Sequence, residues 1–147
     1  MEIVQPLLQG SKFRTQVLIS PAAALEIATS PEGEACMKKL ATFAQGGFKN
    51  YEGEENAAIR HETGRTFRIR HKASSLLRVL GFYTDDTKSV FVILDAVQKP
   101  SNGKYTSQQN KRMQAISNAA VNNDWVIGVE EIEEPDASAE NAGGEST

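Results

Sequence analysis

Between Thr66 and Lys72 the chain alternates with a period of two. Phe67, Ile69 and His71 fall on one face and Arg68, Arg70 and Lys72 on the other, the pattern of a half-buried β-strand. Leu76–Tyr83 is apolar apart from Arg78, and Asp85-Asp86-Thr87-Lys88 has the turn chemistry of a hairpin loop. Ser89–Val97 is rich in β-branched residues and reads as a central strand. Three strands joined by such short links predict an antiparallel meander.

On the N-terminal side, Met1–Gly10 has weak periodicity and reads as a flexible arm or a short strand, whereas Phe13–Ser20 alternates as a strand. Pro21 after Ser20 opens a helix, because proline at the first helical position loses no needed N–H and serine can cap it. Ser30-Pro31 repeats the signal, with Cys36, Leu40, Phe43 and Ala44 at helical spacing behind it and Gly46-Gly47 as the stop. The expectation is an αα-hairpin packed on the sheet. The polar stretch 48–64 reads as a long connection with room for a short helix over Glu54–Arg60.

On the C-terminal side, Pro100–Gly103 is a turn, and Thr106 with Gln109 forms a capping box for a helix reaching about Val121, with Met113, Ile116 and Ala120 on one face. Trp125–Val129 reads as an edge strand, and disorder is expected from about Pro135. The predicted class is α+β: an N-terminal strand and αα-hairpin on an antiparallel meander sheet with a C-terminal helix. It would form one domain over residues 1–129, followed by an acidic tail over 130–147.

Charge changes this picture. The 147 residues carry a formal net charge of -3, but eight acids and no Lys or Arg lie between Asp124 and Thr147. Between Arg60 and Arg112 there are eleven Lys or Arg against four acids. A basic body of this kind attracts polyanions, and the acidic tail either competes for that surface or keeps the chain soluble. The single cysteine, Cys36, excludes an internal disulfide and a multi-cysteine zinc site, and His61 and His71 have no partners spaced for a metal. No apolar run is long enough to span a membrane, and Met1-Glu2-Ile3 lacks the basic start of a signal peptide. The expectation is a cytoplasmic protein without membrane, metal or cofactor.

Candidate chemistry concentrates in the meander. Arg78 interrupts an apolar strand, where a charge is costly unless it faces a site or a partner such as Asp95. Its planar fork suits two phosphate oxygens. Arg68, Arg70 and Lys72, with Lys104 nearby, form either a phosphate-binding rim or a solvated face. Proton-transfer candidates are His71, Asp95, Tyr105 and a lysine with a lowered pKa. His71 shares the phase of Phe67 and Ile69 and can equally be a core residue. Tyr105 can stack a base or pack at the helix start.

The segments SLLRVLGFY, VFVILDAVQKP and YTSQQNKRMQAISNAA, in this order and spacing, resemble the RelE/HigB-like toxins of bacterial type II toxin–antitoxin systems and their phage-derived relatives. The resemblance covers roughly residues 12–121. It implies a small microbial-RNase-like fold, cofactor-free cleavage of mRNA at the ribosome, and silencing by a cognate antitoxin protein. By position Arg78 matches the family's middle-strand arginine and Lys99 the basic residue ending the next strand. Tyr105 falls near the aromatic before the last helix, and Arg68, Arg70 and Lys72 match the basic residues of the preceding strand and loop. The chain departs from the family in placing Pro100, not a second basic residue, after Lys99. It also has Asp95 where the HigB branch often has histidine. Two alternatives stay open: a non-catalytic RNA- or protein-binding module on the same fold, and a gyrase-directed toxin.

Overall fold

The structure is a computed structural model that describes residues 1–10, 12–53 and 56–128. Among these, the strands are β1 (Glu2–Pro6), β2 (Gln16–Ile19), β3 (Ile59–Thr63), β4 (Thr66–Ile69), β5 (Leu77–Tyr83), β6 (Val90–Gln98) and β7 (Trp125–Ile127). The helices are α1 (Pro21–Thr29), α2 (Gly33–Gly46) and α3 (Ser107–Val121), with a 3-10 turn at Phe48–Tyr51. The acidic tail expected over 130–147 lies outside the described residues. Among those described, no helix is long and apolar enough to cross a membrane.

The strands form one sheet in the order β3-β4-β5-β6-β2-β1-β7. The meander β4-β5-β6 is antiparallel as expected, but the sheet as a whole is mixed, since β2 lies parallel to β6 and β7 parallel to β1. The expectation of an antiparallel sheet is corrected there. A second correction falls in 48–64. No helix forms over the described part of 54–60. Instead Ile59–Thr63 is a strand, paired antiparallel with β4 through a tight turn in which Gly64 has φ 53°.

Two apolar layers sandwich the sheet. On one side Ala23 and Ile27 of α1 and Cys36, Leu40 and Phe43 of α2 pack on Val17, Ile69, Val79, Phe91 and Ile93. On the other, Met113, Ile116 and Ala120 of α3 pack on Leu18, Leu80, Phe82, Val92, Leu94 and Val97. Helix ends follow local chemistry. Ser20 Oγ accepts from Ala23 N at 3.2 Å, and Thr106 and Gln109 form the reciprocal capping box. α2 begins two residues later than Pro31 would place it, because Ser30 Oγ accepts from Glu32 N and closes a turn first.

One irregularity sets which way β6 faces. The register runs Leu80↔Asp95 and then Gly81↔Ile93, so Leu94 is an extra residue on β6. Before the bulge the odd-numbered Phe91 and Ile93 face the helical hairpin; after it the even-numbered Ala96 does. Asp95 and Val97 therefore turn toward α3. Gly81 permits this. A Cβ there would stand 2.1 Å from Val92 O and 2.6 Å from a Phe91 ring carbon. Gly81→Ala is expected to lower the unfolding free energy by roughly 1–3 kcal/mol, as overpacking does. Urea denaturation of the variant checks this; an unchanged midpoint would show that the bulge tolerates a methyl group.

Candidate nucleic-acid interface

α3 crosses its face of the sheet diagonally. Gln109 Nε2 donates to Gln98 O at 2.8 Å at the end of β6, and Thr66 Oγ1 donates to Met113 O at 2.7 Å at the start of β4. The helix thus leaves open one corner, made of the start of β3, the end of β4, the start of β5 and the residue after β6. Period-two alternation brings Arg60 and Glu62, Arg68 and Arg70, and Arg78 into this corner. The β6 bulge adds Lys99, whose odd number would otherwise turn it to the opposite face.

Among the described residues, Glu62 is the one carboxylate that the ion pairs place within reach of this group. Its Oε2 lies 3.7 Å from Arg68 Nε, 3.8 Å from Arg60 Nη2 and 3.4 Å from the Tyr105 hydroxyl, which donates to it. Lys99 Nζ sits 4.5 Å from the centre of the Tyr105 ring, a cation–π contact that fixes both side chains. Arg78 is only 7% exposed; its Nη1 donates to Ser75 O at 2.7 Å and Leu77 O at 3.3 Å. Arg68, 4% exposed, donates to Ala57 O at 2.7 Å and Ala58 O at 3.0 Å, and Arg70 donates to Asn56 O at 2.8 Å. These bonds hold the guanidinium planes in place before any ligand arrives.

Crowding of like charge shows in the acid–base behaviour. Burial, and then the neighbouring Arg70, Arg60 and Arg78, push Arg68 down to about 10. Arg78 is lowered by burial, against support from Tyr105. Lys99 is lowered by burial and then by Arg78. Burial and the Glu62 charge push the Tyr105 hydroxyl up to about 12, so it stays protonated at neutral pH.

Of the residues singled out in the sequence, Arg68, Arg70, Arg78, Lys99 and Tyr105 meet in this corner. Lys104 lies beside it, in the exposed segment before Tyr105. Three others lie elsewhere. Asp95 does not pair with Arg78; it holds Arg112 of α3 through two bonds of 2.6 and 2.5 Å. His71 is buried on the hairpin side, its Nε2 3.2 Å from Glu32 Oε1 at the α1–α2 turn, and burial lowers its pKa against the pull of Glu32. Lys72 reaches the same carboxylate at 3.9 Å and is exposed. Arg60 and Glu62 went unnoticed because their strand was read as a loop. The signal was present in the alternation of Ile59, His61 and Thr63 against Arg60 and Glu62, closed by a glycine turn. Among the described residues no group of three His, Cys, Asp or Glu is placed to hold a metal.

No protein-family model, no curated protein and no solved structure was found to match the chain.

The two strand-end arginines differ in what they hold. Arg68→Ala removes two bonds to backbone carbonyls and strips Glu62 of a buried partner, so a loss of roughly 1–3 kcal/mol is expected. Arg70→Ala, at a half-buried position, is expected to shift stability by about 0.5 kcal/mol or less. Parallel denaturation curves check the contrast; equal losses would contradict it.

Proposed function

We propose that the chain is a metal-independent endoribonuclease of the RelE-like kind, acting on mRNA at the ribosome and silenced by an antitoxin protein. The observation that carries the reading is a carboxylate and a tyrosyl hydroxyl 3.4 Å apart, bordered by Arg60, Arg68, Arg78 and Lys99. Those are the parts that cleavage by a neighbouring hydroxyl requires. Glu62 takes the proton from the RNA 2′-OH as its oxygen bonds to phosphorus. Arg78 and Lys99 stabilise the charge growing on the phosphoryl oxygens. Tyr105, still protonated, donates its proton to the departing 5′-oxygen as the P–O5′ bond breaks. The products are a 2′,3′-cyclic phosphate and a 5′-hydroxyl. The Glu62–Tyr105 bond then lets the proton return from the acid to the tyrosinate, which resets the site.

This assignment moves the base from Asp95 and His71, which are engaged elsewhere, to Glu62. The family resemblance supports the ribosome and antitoxin parts of the reading, and the excess of cations supports a polyanionic substrate. One observation favours a second reading, a binding module that does not cut. The guanidiniums of Arg68, Arg70 and Arg78 already donate to backbone carbonyls, which leaves fewer N–H groups for a phosphate.

The test is a translation extract supplied with the purified protein, followed by mapping of mRNA ends. Cleavage leaving 5′-hydroxyl ends is expected, reduced about 10²–10³-fold in Arg78→Ala and similarly in Glu62→Gln. RNA that is bound but left intact by the wild type would select the binding module. Intact RNA without binding would remove both readings.

A further inference from the structure

At the opposite end of the sheet from the open corner lies a second gathering of cations. A cavity of about 200 Å³ is bordered by Arg14 and Lys49 on one side and by Thr87, Lys88 and Ser89 of the β5–β6 hairpin on the other. We propose that this cavity binds a phosphate group.

The first wall is built by the end of α2. Arg14 N and Thr15 N both donate to Ala44 O, at 2.9 and 3.1 Å, and Phe48 N donates to Thr15 Oγ1 at 2.8 Å. Asn50 Nδ2 donates to Gly46 O at 2.7 Å. These helix-end carbonyls are therefore satisfied without the Arg14 or Lys49 side chains. Among the described residues, no carboxylate lies within ion-pair distance of either cation. Gly47, at φ 94°, holds a backbone conformation that L side chains rarely adopt, and a Cβ there would stand 3.2 Å from Asn50 Nδ2.

The second wall is held by its own side chains. Lys88 adopts φ 57°, a left-handed conformation usually left to glycine, and its ammonium is held by Glu52 at 2.9 and 3.2 Å. It also lies 5.1 Å from the Tyr83 ring centre. Glu52 is further occupied by the Tyr83 hydroxyl. Asp85, in the same hairpin, accepts from Thr87 N and Thr87 Oγ1 at 3.1 and 2.6 Å. Glu52 and Asp85 are thus committed, while among the described residues Arg14 and Lys49 have no ion-pair partner. The Ser89 hydroxyl is held by Thr87 Oγ1 at 2.9 Å, so the recognising groups are the Arg14 fork and the Lys49 ammonium, which match phosphate oxygens.

The phosphate could be a free phosphate or monoester, or the backbone of a nucleic acid. The cavity and the open corner lie at opposite ends of β6, whose nine residues span roughly 30 Å. A nucleic acid touching both would have to be a folded RNA or a long strand, not one nucleotide.

The test is amide-resolved NMR of the full chain, titrated separately with inorganic phosphate and with a single-stranded RNA oligonucleotide. Saturable shifts at Gly47, Asn50 and Ser89 are expected. In an Arg14→Ser/Lys49→Ser variant, affinity should fall roughly tenfold per lost charged contact. Both side chains are exposed, so the variant should keep the wild-type melting temperature, measured alongside. Arg78→Ala should leave the cavity shifts unchanged, which separates them from the corner site. Shifts with phosphate but not RNA would assign a free anion, and shifts with both would assign a nucleic-acid backbone; either upholds the site. No shift at these amides with both probes, or equal shifts in the double variant, overturns it.

Discussion

The bulge at Leu94 is the constraint on which the open corner depends. In an unbroken β6, alternation would place Lys99 with Phe91 and Ile93, against the helical hairpin. The extra residue reverses that phase for the last part of the strand, so that Val97 packs under α3 and Lys99 reaches Tyr105. The reversal needs β5 and β6 to approach closely at Gly81, where any side chain would meet Val92 O. One residue without a Cβ therefore decides whether Arg78 and Lys99 share a face.

The corner is expensive to assemble. Arg60, Arg68, Arg70, Arg78 and Lys99 repel one another, and burial adds to the cost, as the lowered pKa values of Arg68, Arg78 and Lys99 record. The structure offsets this with backbone carbonyls from residues 56–58, Ser75 and Leu77 and with the charge of Glu62. Bonds to carbonyls satisfy the N–H groups but do not neutralise the charge. The excess charge is what the proposed RNA substrate would neutralise. Asp95, by contrast, is spent on Arg112, a pairing that anchors α3 to β6 and serves the fold.

Much of this was legible in the residues. An arginine breaking an apolar run marked Arg78, the end of the last apolar strand marked Lys99, and proline and serine placed α1. Alternation settles which residues share a face but not which strand lies beside which or in what direction. The parallel pairing of β2 with β6 was therefore invisible. β3 was hidden because as an edge strand it buries Ile59 and little else, so its apolar content is too low to separate it from a loop. Glu62 was lost with it. Bulges are nearly as silent in a binary pattern: apart from Asp95 the residues from Val90 to Val97 are apolar, and only the glycine opposite hints at a change of phase. His71 was read correctly as sharing the face of Phe67 and Ile69, and that face is the core.

Cys36 lies in the hairpin layer at 1% exposure, and burial, with the charge of Glu32, pushes its thiol up to about 11. Thiol reagents attack the thiolate, which is both scarce and out of reach while α2 stays on the sheet. The molecule therefore contains its own clock for opening. The rate at which this one sulfur is alkylated measures how often the hairpin lifts away, without any label being introduced.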